Sequence, residues 1–187
     1  MLVELVCGDR PEAWAALGFA VVDGAVQVGD VTVRLDGGGG GLRGWVLTGD
    51  GPDALDGVPT TWTTAGPRPP GAFGLDHVVL FTGDRDRTVA ALVAAGGDER
   101  RRAGPPAVPV AMSFVRLGPV IVEVAQNEDP ARLWGLVAVT ADLGALPADR
   151  FGAPRAAVQP GRQIVTARPQ PGMDTAIAFM TPRVRTR

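Results

Sequence analysis

The sequence predicts an α+β fold made of repeated strand–helix–meander units, βαβββ in chain order, and three observations carry that prediction. An apolar strand ends at an aspartate three times, at Asp9, Asp84 and Asp142. Each aspartate opens a helical stretch that stops at a glycine, Gly18, Gly96 or Gly152. Each helix is followed by short extended runs separated by turn residues. Such a unit cannot bury its sheet alone, so the copies are expected to pair.

The first copy spans residues 1–50. Leu2 to Cys7 reads as a strand, and Asp9 is placed to cap a short helix with Pro11 in its first turn and Ala13, Trp14 and Leu17 facing inward. Residues 19–22, 25–28 and 31–35 form a meander turned by Asp23-Gly24 and Gly29-Asp30, and residues 42–48 supply its last strand. The five glycines at 37–41 lack the Gly-Lys-Ser/Thr ending of a phosphate loop and open no helix, so they read as a hairpin connection. Residues 51–74, rich in Pro, Gly and Thr, read as a linker or cover segment with a helix-like piece at 53–55 and Trp62 pinning it to the core.

The second copy, 75–126, is the clearest. A strand runs to Thr82, Asp84 starts a helix whose Val89, Leu92 and Val93 make one apolar stripe, and Gly96-Gly97 ends it. Residues 98–103, 111–117 and 120–126 are its later strands, with Gly118-Pro119 between the last two. The third copy, 133–181, opens with Leu133 to Thr140, continues through a short helix containing Pro147, and ends with strands at 156–158, 163–167 and 175–180. Residues 182–187 are a tail.

Composition removes several function classes. The chain has 187 residues, a net charge of −2 and 45% hydrophobic residues, which describes an ordinary globule. The arginines are dispersed, so nucleic acid is not an expected partner. Cys7 is the only cysteine, which excludes an intrachain disulfide and a cysteine-rich zinc site, and it reads as a small buried hydrophobe. All 18 basic residues are arginine and tyrosine is absent, so lysine Schiff-base chemistry and tyrosine acid/base catalysis are ruled out. No apolar run reaches the roughly 20 residues that cross a bilayer, and no leader-like segment opens the chain, so no membrane partner and a cytoplasmic location are expected.

The sharpest chemical signal lies in the second copy. His77, the only histidine, shares a strand face with Val79 and Phe81, while Glu123 shares one with Ile121 and Ala125. If both faces line one cavity, an imidazole and a carboxylate converge there as the start of a metal site or an acid/base pair. The bland alternatives are a neutral structural histidine and a solvent-facing glutamate. The run Val120, Ile121, Val122, Val124 is apolar on both faces, so a buried Glu123 requires a partner, water or a proton.

Leu-Asp-His-Val-Val-Leu, the Asp-started helix, Phe-Val-Arg-Leu-Gly and Val-Ile-Val-Glu-Val together resemble one βαβββ module of the vicinal oxygen chelate superfamily, the glyoxalase and bleomycin-resistance group. The likeness is good over 74–126, fair over 133–181 and loose over 1–50. It implies modules paired into curved mixed sheets around a cavity that binds a small molecule. It also implies one divalent metal held by His or Gln on the first strand and Glu on the last, positions that His77 and Glu123 match.

The other copies depart from that pattern. Gly135 stands at the histidine position of the third copy and Leu2 at that of the first, and neither final strand carries an acid, the first copy's being read around Trp45. Two ligands are too few for an extradiol dioxygenase. A homodimer bringing two copies of His77 and Glu123 together would supply four, unless the third copy occupies the partner surface instead.

Three readings follow. The first is a metal-assisted or proton-transfer enzyme of lyase or isomerase type using His77 and Glu123. The second is a metal-free protein that sequesters a drug or metabolite, and the third is a structural module whose cup is filled by its own side chains. Phe81, Arg116, Trp134 and Arg162 are the candidate substrate contacts, Arg116 and Arg162 toward an anionic group. For the arginines the competing reading is a solvated side chain beside a turn, and for Trp134 a core aromatic. Ser113 lacks the Gly-x-Ser-x-Gly elbow of a serine triad.

Overall fold

A computed structural model describes residues 1–106, 109–127 and 130–183. Its strands form two sheets, one from each half of the chain. The first contains β1 (Leu2–Cys7), β2 (Val21–Val22), β3 (Ala25–Val28), β4 (Val31–Leu35), β5 (Leu42–Thr48), β6 (Ala54–Leu55) and β7 (Val58–Thr63), in the order β2-β3-β4-β1-β5-β7-β6. The second contains β8 (Gly74–Thr82), β9 (Asp98–Ala103), β10 (Met112–Leu117), β11 (Val120–Gln126), β12 (Arg132–Val139), β13 (Arg155–Ala156), β14 (Gln163–Thr166) and β15 (Ala176–Met180), in the order β13-β14-β15-β12-β8-β11-β10-β9.

One pairing rule governs both sheets. The two first strands of a half lie antiparallel at its centre, β1 against β5 and β8 against β12. Each is flanked by a parallel partner: β4 beside β1, β7 beside β5, β11 beside β8 and β15 beside β12. Residues 42–48 are therefore not the last strand of the first copy, a role that falls to β4, but the opening strand of a further, shortened unit.

That unit runs into the stretch expected to be a linker. Asp56 and Gly57 adopt positive φ of 48° and 84°, the geometry of a tight primed hairpin turn, and join β6 to β7. Leu55 and Val58 are buried, and Thr60 on β7 accepts the Trp45 indole N–H at 2.8 Å. The Asp-Gly signal is present in the sequence, but Pro52, Pro59 and the surrounding threonines mask it.

A single apolar core joins the two sheets, with Leu5, Trp45 and Leu47 on one side and Val78, Leu80, Val122 and Leu136 on the other. Helix α1 (Pro11–Ala15) adds Trp14 beside Leu17, and α2 (Arg85–Ala94) adds Val89 and Leu92. Each such large side chain taken fully from water contributes about 1.5–3 kcal/mol. Phe19 and Phe73 pack on Phe179 of β15 at 5.2 and 4.8 Å between ring centres, tying the first half to the last strand. Among the described residues no helix is long and apolar enough to cross a membrane.

The three aspartates differ in what they do. Asp84 caps α2 by accepting the Arg87 N–H at 3.0 Å. Asp142 accepts the Gly144 N–H at 2.7 Å, but the helix expected after it shortens to a single 3-10 turn at Leu143–Ala145, two residues before Pro147. Proline has no N–H to continue the helical ladder.

Asp9 caps nothing: Arg10 holds the N-cap position of α1. Its carboxylate is buried and accepts the Trp14 indole N–H at 3.1 Å and the backbone N–H of Asp174 at 2.7 Å, stitching the two halves together. Cys7 beside it is fully buried, and burial pushes its thiol up to about 12. Asp9→Ala leaves those donors buried without an acceptor and is expected to cost about 2–3 kcal/mol. The check is a drop in the urea midpoint at unchanged slope. Unaltered stability would show that this carboxylate does not join the halves.

Candidate functional site

The outer face of the second sheet, turned away from the shared core, forms the cup. Parallel pairing sets β11 beside β8 with Ile121 opposite His77 and Glu123 opposite Val79, so side chains of alternate residues on both strands rise on the same face. His77 Nε2 lies 3.6 Å from Glu123 Oε2. That is beyond hydrogen-bond length, and the two groups are poised across a gap rather than bonded.

The other imidazole nitrogen is held. His77 Nδ1 lies 2.9 Å from Asp76 Oδ2. Arg162 grips the second Asp76 oxygen through Nη1 at 2.7 Å, and its Nε donates to the Thr181 carbonyl at 2.7 Å. Burial alone would raise the Asp76 carboxyl, but hydrogen bonds from His77 and Arg162, with the attraction of both groups, pull it down from 3.8 to about 2. An ionised carboxylate only accepts, so Nδ1 carries a proton, and in the neutral imidazole Nε2 is the nitrogen whose lone pair faces the cup.

Glu123 is tuned the opposite way. Burial raises its carboxyl above the ordinary 4.5, His77 and Arg101 pull it back only in part, and the charge of Asp76 adds to the rise. The site thus sets a carboxyl held below its ordinary value behind the imidazole and one raised above it in front.

A pocket of about 410 Å³ opens over these groups. Val79, Phe81, Met112, Ala125, Trp134 and Ile164 give it a mainly apolar wall. A cup filled with its own side chains is therefore not what the chain builds. Trp134 occupies a bulge in β12, where the register shifts between Leu133 and Gly135, and it stacks on Phe81 with ring centres 4.8 Å apart. It is 41% exposed and belongs to the pocket wall, not the core.

Gly135 has its own reason to lack a side chain. A Cβ there would lie 2.2 Å from the Ala176 carbonyl oxygen on β15, so the close approach of the two strands forbids a ligand at that position.

The remaining expected contacts separate. Arg116 is exposed and lines a second, larger cavity next to the first. Arg162 also lines that cavity, but it is 3% exposed and its Nη1 and Nε are engaged by Asp76 and Thr181, so it positions the histidine through Asp76. Asp76 itself was missed by strand alternation, which sends neighbours to opposite faces. The signal available was a carboxylate immediately before the only histidine.

A divalent metal would find two donors here, His77 Nε2 and Glu123, while Asp76 is already engaged. Among the described residues no three His, Cys, Asp or Glu side chains gather into a metal-binding group. A catalytic zinc takes three protein ligands, so these residues do not make a resident metal's donor set. The third copy takes the place beside the second, with β12 on one edge of β8 and β11 on the other.

No protein-family model and no curated protein matches the sequence. Solved structures do resemble it in backbone. Methylmalonyl-CoA epimerase from Mycobacterium tuberculosis aligns at 14% identity and a TM-score of 0.48, covering 59% of this chain and 88% of that one. A hypothetical protein from Bacillus halodurans aligns at 12% identity and a TM-score of 0.49, covering 63% and 99%. Streptomyces coelicolor methylmalonyl-CoA epimerase, in complex with 2-nitronate-propionyl-CoA, aligns at 16% identity and a TM-score of 0.45, covering 59% and 97%.

What decides the architecture is the strand order of this chain: first strands antiparallel at the centre, each with its own last strand parallel beside it. This is the paired βαβββ arrangement that the sequence repeats lead one to expect. Here two sheets of that plan are joined in one chain, and the second carries the His77 cup.

The Asp76 shift carries a stability consequence with a fixed sign. A carboxyl held below its unfolded value stabilises the fold above about pH 4, and the contribution, about 2 kcal/mol, is lost as pH falls from about 4 to about 2. The stability gap between the native chain and Asp76→Asn should narrow across that window, measured by urea unfolding at stepped pH. A gap that stays constant down to pH 2 would contradict the assigned shift.

Proposed function

We propose that the cup of the second sheet binds a small organic molecule and that His77 and Glu123 move a proton on it, as an isomerase- or lyase-type enzyme does. The observation that carries this is the line Asp76–His77–Glu123 at the wall of an apolar pocket. His77 Nε2 has a lone pair fixed in direction by Asp76, which suits it to take a proton from a ligand C–H or O–H. Glu123, raised by burial, suits the return of a proton at a neighbouring atom. A proton removed by one group and replaced by the other at a second atom is an isomerisation, and loss of a leaving group after the first step is a lyase reaction.

The gap of 3.6 Å leaves room for one ligand atom or a water to pass the proton between the two. Trp134 and Phe81 offer a flat apolar surface for the body of the ligand. No step of this reading passes through a metal.

A second reading, sequestration of an unaltered drug or metabolite, is favoured by the mainly apolar lining of the pocket. The two differ in what the polar line is for. Incubation with a panel of small carbonyl compounds in heavy water, followed by mass spectrometry, separates them. Proton transfer predicts deuterium uptake that falls by roughly 100-fold or more in His77→Ala and in Glu123→Gln. A tightly bound compound recovered without deuterium, with affinity surviving both substitutions, establishes sequestration instead.

A further inference from the structure

The cavity beside the His77 pocket has the opposite character. It measures about 730 Å³ and is lined by five arginines, Arg100, Arg101, Arg116, Arg162 and Arg183, against one acid, Asp76. The second sheet runs unbroken beneath both cavities: Leu75 precedes His77 on β8, Ile121 precedes Glu123 on β11, and Phe114 on β10 lies opposite Glu123.

Two of the five charges are accounted for. Arg162 is paired with Asp76 at 2.7 Å, and Arg100 with Asp98 at 2.7 Å. Arg101, Arg116 and Arg183 have no carboxylate within 4 Å among the described residues. Arg101 lies with its guanidinium 4.5 Å from the centre of the Phe114 ring, and its charge is also felt at Glu123, so it stands at the border of the two cavities. Three cations unneutralised among the described residues around one hollow, in a chain of net charge −2, are a local excess that an anion would relieve.

We propose that the ligand of the cup carries a phosphate group, held by Arg101, Arg116 and Arg183, while its apolar body lies over His77 and Glu123. This rests on the reading of the apolar pocket as the binding site. A single carboxylate is satisfied by one bidentate guanidinium fork, whereas three converging arginines suit the higher charge and additional acceptor oxygens of a phosphate or diphosphate. The arrangement sets the substrate class as a phosphorylated molecule with an apolar portion, and it fixes which end faces the imidazole.

The probe is inorganic pyrophosphate, titrated into the full chain by calorimetry at low salt, with orthophosphate and succinate as parallel arms. Pyrophosphate is expected to bind, more tightly than succinate and less tightly as salt is added. Arg116→Ala and Arg183→Ala should each weaken it by roughly tenfold. Arg43→Ala, whose arginine pairs with Asp36 on the first sheet, should leave it unchanged.

Absence of proton transfer by the native chain, with pyrophosphate binding intact, would remove the catalytic reading and leave the phosphate site standing. No measurable pyrophosphate binding overturns the proposal. So does succinate binding as tightly as pyrophosphate, or an equal loss in Arg43→Ala.

Discussion

The clamp of Asp76 on His77 is the constraint on which the proposed chemistry depends. A lone imidazole on a strand can rotate and exchange tautomers. Here the Nδ1 side is closed by a carboxylate that is itself fixed by Arg162, so the remaining nitrogen can face only the pocket. Arg162 comes from the turn before β14, Asp76 and His77 from β8, and Glu123 from β11. The arrangement therefore exists only when units 75–126 and 133–181 share a sheet, joined through one guanidinium.

The two-sheet architecture explains why one half carries the candidate chemistry. Both halves use the same strand pairing, but the positions beside the first sheet's central strands hold no histidine, and its Glu4 is paired with Arg34 at 2.7 Å. That half supplies α1, Trp14 and Asp9, and Asp9 holds the chain immediately before β15. A scaffold that buries the inner face of the second sheet frees its outer face to curve around a ligand.

Much of this was legible in the sequence because strand alternation is a strong constraint. Alternation puts His77, Val79 and Phe81 on one face and Ile121, Glu123 and Ala125 on another, and the parallel pairing of β8 with β11 brings all but Ile121 into one hollow, Ile121 lining the neighbouring cavity. The strand–aspartate–helix signal located α2 to within two residues at each end. What failed was local chemistry overruled by distant partners. Asp9 has the sequence of a cap, yet its acceptors are spent on Trp14 and on a segment 165 residues away. Residues 54–63 have a loop composition, yet β5 offers them an open edge and they complete a sheet. Asp76 and Arg162 could not be joined by reading along the chain, since 86 residues separate them.

The most direct test of the central claim uses the fact that the chain has a single histidine. Nitrogen-15 NMR of the untagged protein at neutral pH reports which ring nitrogen of His77 bears the proton. The clamp predicts a fixed Nδ1–H tautomer in the native chain that relaxes to a mixture in Asp76→Asn. An Nε2–H tautomer, or a spectrum indifferent to Asp76→Asn, would contradict it.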